Sequence, residues 1–301
     1  LSWSGNGSVL SFSIRGESDP KLAKILPTEN VVVDIWHWNE GKIQPMQAKS
    51  RGRSSSKSRS CVWHVDAKRL VVLGDEAIPS PRVFSRDGSK AMGSDGKPYE
   101  KLVTWDGRYS DYYMVNTSNG KRTKIVGRTA NRPSPSPSGR YLMHFGDDYK
   151  WYLIETAGMS KKRLTLGRHI KWENELEDRP QAARAYGVVG WTQGEEAVLI
   201  NDRYDIWKFV IKTSKVTCVT NLFGRQNKIV LRYSKFDLEG DDEKIDADDR
   251  SYIPTNMWLS AKNERTRDSG YYIASVVEPG DPKKVVMSED AIGGLARAKK
   301  A

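Results

Sequence analysis

The sequence of 301 residues carries 49 Lys and Arg against 38 Asp and Glu, a formal net charge of +11, and 38% of its residues are hydrophobic. Ten Trp and thirteen Tyr supply material for a packed core, so the composition excludes an intrinsically disordered chain. The apolar runs are only a few residues long, whereas a helix that crosses a bilayer needs about twenty apolar residues. We therefore expect no membrane partner.

A polar turn recurs along the chain, built on Ser or Thr, Pro, Asp or Asn, and Gly. An apolar or alternating segment follows each copy, and period-two alternation predicts a β-strand. Each turn is therefore predicted to begin a strand. The four copies are Trp3–Gly7, Phe84–Gly88, Pro135–Gly139 and Trp191–Glu195, in the last of which Glu195 takes the place of the glycine.

Two-stranded hairpins recur as well. The clearest copy is Asp111–Ile125, where Asn119-Gly120 predicts a tight turn because this pair adopts positive φ angles. Tryptophans at positions 36, 151 and 207 are predicted to occupy equivalent hairpin positions and to pack within or between repeats. In chain order the six hairpins lie at 35–43, 62–71, 111–125, 151–165, 206–219 and 271–286.

The spacing of the turns identifies the kind of repeat. Gly88 and Gly139 are about 51 residues apart, and Gly139 and Glu195 about 56, close to the roughly 40 to 50 residues of a four-stranded propeller blade. A β-sandwich has no reason to repeat one turn with the same hairpin after it. We predict an all-β protein, a β-propeller of four-stranded antiparallel blades that forms one domain over 1–301.

Three charged stretches are predicted to be loops or insertions, at 49–60, 171–179 and 237–249. The first contains the basic tract Lys49–Arg59, and such tracts can neutralise phosphates. It lacks interleaved aromatic residues that would stack on bases, so a solvated loop and no nucleic-acid partner are expected. The acidic stretch at 237–249 lacks the residue order of a calcium-binding EF-hand loop.

The remaining reactive side chains predict no metal or cofactor. Cys61 and Cys218 are too few for a disulfide framework and are interpreted as buried free thiols. The four histidines, of which no pair has zinc-ligand spacing, are interpreted as structural. They are His37, His64, His144 and His169.

Several segments point to a family. Gln44-Pro45-Met46-Gln47 and Asp202-Arg203-Tyr204-Asp205-Ile206-Trp207 are the most specific, and stretches at 33–38, 186–191 and 259–266 extend the match over most of the chain. Together they resemble the N-terminal propeller of bacterial serine peptidases of the prolyl oligopeptidase family, relatives of the dipeptidyl and acylaminoacyl peptidases. The resemblance implies a propeller that caps a C-terminal α/β-hydrolase domain, and it favours a periplasmic or secreted location.

The hydrolase half of such an enzyme is not found in this sequence. A nucleophile elbow requires Gly-x-Ser-x-Gly, and the nearest string, at 16–20, ends in Pro20. We expect a non-catalytic chain that gates and orients peptide substrates for a hydrolase domain absent from it, with an incomplete ring of blades because Ala301 follows the sixth hairpin. The alternative is a stand-alone propeller that binds a protein, peptide or glycan.

Four residues are candidates for substrate binding. Dipeptidyl peptidases of the family hold the substrate ammonium with paired propeller glutamates, and Glu173, Glu175 and Glu177 are the matching acidic residues here, at alternate positions. The competing interpretation is an exposed acidic loop balanced by nearby basic residues. Arg203 is interpreted first as a structural ion-pair partner of Asp202 or Asp205, with substrate contact as the alternative.

Overall fold

A computed structural model describes residues 1–15, 37–54, 58–164, 170–235, 251–290 and 292–295. The chain divides into two compact units, Leu1–Arg132 and Pro133–Ala301. Within the described residues, five four-stranded antiparallel sheets account for every named strand, and in each sheet the strands pair in chain order. This up-and-down arrangement is that of propeller blades, which confirms the predicted all-β class.

The N-terminal unit holds two blades. Its core lies between them and includes Val9, Val62 and Val115. Helix α1 (Gln44–Ser54) precedes the third strand of blade 1, and a 3₁₀ helix at Lys97–Thr104 separates the middle strands of blade 2. Blade 1 consists of β1 (Ser2–Trp3), β2 (Val9–Arg15), β3 (Ser58–His64) and β4 (Arg69–Val72), and blade 2 of β5 (Arg82–Val83), β6 (Lys90–Asp95), β7 (Ser110–Asn116) and β8 (Arg122–Thr129).

The C-terminal unit holds three blades, and a short helix α2 (Phe223–Asn227) connects the last two. Blade 3 consists of β9 (Ser134–Pro135), β10 (Tyr141–Phe145), β11 (Trp151–Glu155) and β12 (Ser160–Arg163). Blade 4 consists of β13 (Val188–Trp191), a 3₁₀ turn at Gln193–Glu195, β14 (Ala197–Asn201), β15 (Ile206–Val210) and β16 (Val216–Cys218). Blade 5 consists of β17 (Ile229–Tyr233), β18 (Asn256–Asn263), β19 (Ser269–Ser275) and β20 (Lys283–Ser288).

The recurring polar turn has the same geometry in blades 1 to 4. Its Ser or Thr hydroxyl oxygen accepts the N–H of the residue five positions later, at 2.9 to 3.0 Å. The residue three positions after that Ser or Thr adopts a left-handed backbone, which favours glycine. These left-handed residues are Gly7, Gly88, Gly139 and Glu195, with φ of 72°, 71°, 77° and 56°.

Glu195 adopts the left-handed conformation although it is not a glycine, and its side chain makes contacts that a glycine could not. Its buried carboxylate accepts hydrogen bonds from the backbone N–H of Ser138 at 2.6 Å and from the Ser138 hydroxyl at 2.8 Å. Ser138 belongs to the equivalent turn of blade 3. The exception to the glycine rule therefore links two neighbouring turns.

Five of the six predicted hairpins are present, as the two last strands of each blade. The exception is 35–43, where His37–Ile43 form turns without a strand and residues 35 and 36 lie outside the described part. In the loop of the blade 2 hairpin, only Gly120 has a positive φ, because the loop spans four residues and its Gly120 N–H donates to the Asn116 carbonyl. The loop is therefore longer than the tight Asn119-Gly120 turn that the sequence predicted.

The basic stretch at 49–60 was wrongly predicted as a loop. Its first residues continue helix α1, and its last residues begin β3. Gln, Ala, Lys and Arg are good helix formers, and Pro45 is tolerated in the first turn. The acidic stretch at 237–249 and His169 lie outside the described residues.

Trp151 and Trp207 are both buried in the core shared by blades 3 and 4, as predicted, whereas Trp36 lies outside the described residues. The prediction that Trp151 and Trp207 occupy equivalent hairpin positions was wrong. Alignment of the two blades on their turns places Trp151 beside Ile206 and Trp207 beside Tyr152, one register position apart. Side chains alternate between the two faces of a strand, so Trp151 from blade 3 and Trp207 from blade 4 reach one interface from opposite faces of their blades.

Candidate functional site

A polar corner connects β14 to β15 in blade 4, and it contains the Asp202–Asp205 string. The buried Asp202 carboxylate closes the corner: one oxygen accepts the backbone N–H of Tyr204 at 2.7 Å and that of Asp205 at 2.6 Å. The other oxygen accepts the Trp207 indole N–H at 3.1 Å. This is an Asx turn, in which a side chain replaces a backbone acceptor. The corner is thereby fixed to the core of blades 3 and 4.

Asp205 positions helix α2 beside this corner. Its fully buried carboxylate accepts the Thr220 hydroxyl at 2.7 Å and the backbone N–H groups of Gly224 and Arg225, each at 2.9 Å. A side chain at Gly224 would place its Cβ 2.8 Å from the Tyr204 carbonyl oxygen, so only glycine fits. Burial raises the pKa of Asp205 against the opposing effect of the Thr220 hydrogen bond. The result is a fixed position for the Arg225 side chain.

Arg203 pairs with Glu264 rather than with its sequence neighbours. Its Nη2 donates to Glu264 Oε2 at 2.8 Å, and the Tyr204 hydroxyl donates to the same oxygen at 2.7 Å. The predicted pairing with Asp202 or Asp205 was wrong. Backbone N–H groups, Trp207 and Arg225 occupy the Asp202 carboxylate, and backbone N–H groups and Thr220 occupy that of Asp205. Burial and the bond to Glu264 raise the pKa of Tyr204 to about 12, so the phenol stays a hydrogen-bond donor.

Glu175 joins two guanidinium groups at the same corner. Its Oε1 accepts a hydrogen bond from Arg225 at 2.9 Å, and its Oε2 lies 4.0 Å from Nη1 of Arg203. Arg225 also lies 3.4 Å from Asp202. Both guanidinium carbons stand about 5 Å from the centre of the Tyr204 ring, at 4.9 and 5.1 Å, in cation–π geometry. Two of the four predicted site residues, Glu175 and Arg203, are therefore brought together.

Tyr186 and Arg232 hold the backbone that carries Glu175 and Arg203. The backbone N–H of Glu175 donates to the Tyr186 hydroxyl at 2.8 Å. Arg232 lies over the Tyr186 ring at 5.5 Å and donates to the carbonyl oxygens of Asp202 and Arg203, each at 3.0 Å. Burial lowers the pKa of Arg232. Its guanidinium holds the backbone from which Arg203 projects.

The other two glutamates lie outside the Glu175–Arg203 contact. Glu177 accepts two hydrogen bonds from Arg179, at 2.7 and 3.0 Å, and this pairing lowers the pKa of Glu177 to about 2. Glu173 forms an isolated β-bridge with Ala185. Within the described part of the chain its carboxylate makes no hydrogen bond or ion pair. Of the three glutamates, Glu177 is paired with Arg179, Glu175 is held by Arg225, and Glu173 has neither a hydrogen bond nor an ion pair among the described residues.

We call the group formed by Glu175, Arg203, Arg225, Tyr204 and Glu264 the corner cluster. Its unused positions define what it can bind. Arg225 orients Glu175 while Glu175 Oε2 receives no hydrogen bond from any described residue, so that oxygen can accept one from a ligand cation. The buried Nε of Arg203 also lacks a partner among the described residues, and a carbonyl or carboxylate oxygen would satisfy it.

The sequence missed Arg225, Arg232, Tyr186 and Glu264 as members of the site. Glu264 is 61 residues from Arg203 in the chain, and Arg225 is 50 from Glu175, so no local pattern connects them. The one available signal was the pair of aspartates in the Asp202–Asp205 string, which marks a closed corner that must place its neighbours accurately.

Other chemistry is limited in the described residues. Cys61 and Cys218 are free thiols there, as predicted, but only Cys61 is buried and Cys218 is half-buried. Desolvation raises the pKa of Cys218 to about 11. His64 Nε2 lies 2.9 Å from the Thr117 carbonyl oxygen, and His144 is buried in β10. Across the described ranges, no three His, Cys, Asp or Glu side chains are grouped so as to hold a metal ion. No helix in them is long and apolar enough to cross a membrane.

Comparison with known proteins supports the fold. No family model and no curated protein sequence matches the chain. Among solved structures, a putative dipeptidyl aminopeptidase IV from Bacteroides ovatus superposes with a TM-score of 0.50 at 8% identity, over 95% of this chain and 39% of that one. The chain therefore spans well under half of that structure's length.

Two further structures are of the same kind. Dipeptidyl peptidase 4 from Porphyromonas gingivalis matches with a TM-score of 0.47 at 8% identity, over 94% of this chain and 36% of that one. The β-propeller domain of the Trilobed protease from Pyrococcus furiosus matches at 0.38 and 12%, over 76% and 64%. By name, all three are peptidases or parts of peptidases, the kind of protein that the sequence resembles. The superposition with the Bacteroides ovatus structure, at a TM-score of 0.50, shows a shared fold and no more.

Proposed function

We propose that this chain is the non-catalytic β-propeller portion of a serine peptidase of the prolyl oligopeptidase family. Its role is to admit short peptides and to orient their N-terminal end for an α/β-hydrolase domain. The fold supports this assignment, together with the sequence, which contains no Gly-x-Ser-x-Gly string. A propeller that holds the substrate in a reactive geometry contributes to catalysis without touching the bond that breaks.

The observation that carries the proposal is the geometry of Glu175. Arg225 fixes one carboxylate oxygen at 2.9 Å and leaves the other without a hydrogen bond among the described residues. A carboxylate that is already oriented loses little entropy when it binds a substrate ammonium. The contact is a charge-assisted hydrogen bond, which contributes roughly 1.5 to 3 kcal/mol.

The other predicted residues receive supporting roles. Glu173 is the second carboxylate proposed to contact the ammonium, since it carries no ion pair within the described residues. Arg203 is proposed to donate from Nε to a substrate carbonyl oxygen. Glu177 is the weakest of the four candidates, because Arg179 already neutralises it through two hydrogen bonds.

The proposal is tested by calorimetric titration of this chain with one short peptide in two forms, with a free and with an acetylated N terminus. We expect the free form to bind more tightly, and Glu175→Gln to remove that preference with roughly a tenfold loss of affinity. Glu196→Gln is the matched control, because Glu196 is exposed in the turn after β13. Equal affinity for the two forms in the unmodified chain would contradict ammonium recognition.

A further inference from the structure

The positive charge of the chain is concentrated in the N-terminal unit. Residues 1–132 contain 22 Lys and Arg against 13 Asp and Glu, a net of +9, whereas 133–301 contain 27 against 25, a net of +2. The two values sum to the net charge of the whole sequence. An excess of this size on one unit attracts polyanions and raises the rate at which they associate.

Two tryptophans of this unit are exposed to an unusual degree. Trp38 is 87% exposed and Trp105 is 71% exposed. Both lie in segments that connect the second and third strands of their blades, Trp38 before helix α1 and Trp105 at the end of the 3₁₀ helix Lys97–Thr104. Aromatic side chains, Trp among them, are enriched at interaction surfaces relative to the rest of a protein's surface.

Direct contacts hold the two segments together. The Lys101 ammonium donates a hydrogen bond to the Asn39 side chain and stands 5.7 Å from the centre of the Trp38 ring. Lys42 Nζ lies 3.0 Å from the Glu100 carboxylate. Trp38 and the 3₁₀ helix that Trp105 follows therefore belong to one surface.

The 3₁₀ helix is anchored to the blade, so Trp105 has a defined position. The Tyr99 hydroxyl donates to the buried Asp111 carboxylate at 2.7 Å. Arg128 lies over the Tyr109 ring at 5.1 Å and 3.6 Å from Asp106. These contacts fix both ends of the segment and leave the indole outside.

Helix α1 adjoins the same surface and carries Lys49, the first residue of the basic tract Lys49–Arg59. Gln47 of that helix donates hydrogen bonds to the Glu40 carboxylate and, at 2.8 Å, to the Lys42 carbonyl. The tract contains no aromatic residue of its own. Folding supplies the missing aromatic, because Trp38 is carried by the segment to which the helix is bonded.

We propose that the surface formed by Trp38, Trp105, Lys42, Lys49 and Lys101 binds single-stranded nucleic acid. Exposed bases would stack on the two indoles while the ammonium groups contact phosphates, the combination that sequence-independent single-strand binding uses. A lipid surface fits less well, since the helix sequence Gln44–Ser54 includes only Met46 and Ala48 as apolar side chains, alongside Pro45, and has no apolar face to insert. This inference is independent of the peptide site in the C-terminal unit.

Fluorescence anisotropy of a labelled oligothymidylate of about 15 nucleotides tests the proposal on the full chain. With about three to four phosphates contacted, affinity should fall roughly 20- to 50-fold between about 50 and 200 mM salt. Trp38→Ala and Trp105→Ala should each weaken binding by roughly fivefold or more. Lys101→Gln should reduce the salt slope by about one phosphate's share. Trp3→Ala is the control, since Trp3 is 62% exposed on β1, outside the proposed surface, and it should leave binding unchanged.

Four outcomes would overturn the proposal. The first is no binding at about 50 mM salt. The second is salt-dependent binding that both Trp variants retain in full, which would reduce the surface to general electrostatic attraction. The third is equal loss in Trp3→Ala. The fourth is binding to anionic phospholipid vesicles without binding to the oligonucleotide. Circular dichroism of each variant establishes that the fold is unchanged, which is expected because the replaced indoles are exposed.

Discussion

Two kinds of chain reversal can be compared in this molecule: the turns that begin the blades, and the corner that connects β14 to β15. They share a way of closing the backbone and differ in how often they occur. Both are short, and both are closed by a side-chain oxygen that accepts backbone N–H groups, Ser136 Oγ in blade 3 and Asp202 Oδ1 in blade 4. The turn recurs in four blades with one geometry. The corner, with two buried aspartates and the arginines around it, is present once among the described blades.

The difference separates what the fold requires from what one place in the molecule requires. Every blade must reverse its chain, and a neutral hydroxyl is sufficient for that. A corner that buries Asp202 and Asp205 pays a desolvation cost that a neutral turn avoids. In return, the Asp202 carboxylate lies 3.4 Å from Arg225, the guanidinium that holds Glu175 at 2.9 Å. We therefore propose the corner, rather than the repeated turns, as the functional site.

The largest expected effect concerns the core on which the corner rests. Trp207→Ala removes a buried indole from the core of blades 3 and 4 together with the hydrogen bond to Asp202. The free energy of unfolding should fall by about 3 to 5 kcal/mol. Denaturant titration measures this, with the exposed Trp3→Ala as a control that should change stability by less than about 0.5 kcal/mol. A silent Trp207 variant would contradict the proposed dependence of the corner on this core.

Asp111 in blade 2 is a second buried carboxylate outside the repeated turns, and it shows that such a carboxylate need not belong to a binding site. Burial tends to raise the pKa of Asp111, but hydrogen bonds from Lys124, the Arg128 N–H and Tyr99 outweigh it and lower the pKa to about 2. Described protein groups satisfy this carboxylate fully, so we assign it a structural role.

The pH dependence follows from the sign of that shift. A carboxyl whose pKa is lower in the folded state stabilises the fold above the pKa of the unfolded chain, and that contribution is lost as the pH falls from about 4 toward 2. Asp111 should contribute about 1 to 2 kcal/mol in this way. Asp111→Asn should be less stable at neutral pH and should show a flatter stability profile below pH 4, measured by urea titration. An unchanged profile would remove Asp111 from the structural role.

The repeated turns should show smaller and similar effects. Ser136→Ala leaves the Tyr141 N–H without its hydroxyl acceptor and should cost about 1 kcal/mol. Because Ser4 and Ser85 make the same bond at the same spacing, their replacements should cost about the same amount in thermal unfolding. A cost confined to one blade would show that the turns are not equivalent and would weaken the comparison with the corner.

The last prediction is that no effect is seen, because the chain should not react with a reagent that labels catalytic serines. The purified chain should not be labelled by a serine-directed fluorophosphonate, because its sequence contains no nucleophile elbow. Mass spectrometry measures the labelling. Stoichiometric modification of one serine would contradict the non-catalytic assignment.

Sequence reasoning reached the features that depend on short-range chemistry. The Ser-Pro-x-Gly turns were predictable because the hydroxyl, the acceptor N–H and the left-handed residue all lie within six positions, and this periodicity placed even Glu195 correctly. Helix α1 was missed since its polar composition gives no periodic apolar face, so only propensity distinguished it from a loop. Trp151 and Trp207 lie one register position apart because opposite faces of blades 3 and 4 meet at their interface. Periodicity alone does not specify which faces meet.

The corner cluster was predicted only in part for a different reason. Glu175 was identified through a family resemblance and Arg203 as an ion-pair partner within the Asp202–Asp205 string, but their actual partners, Arg225 and Glu264, are tens of residues away in the chain. An ion pair of that kind is set by the packing of blade 5 and helix α2 against blade 4. Sequence neighbours such as Asp202 looked like natural partners and are instead occupied by the backbone.

The most direct test of the central claim is hydrolysis by the full product of the gene, with free and N-acetylated forms of the same peptide. Replacement of Glu175 by Gln should lower kcat/KM for the free peptide by roughly ten- to a hundredfold, about 1.4 to 2.8 kcal/mol, and should leave the acetylated peptide little affected. Equal losses on both peptides, or a full product that hydrolyses neither, would contradict a propeller that orients the substrate ammonium for a hydrolase domain.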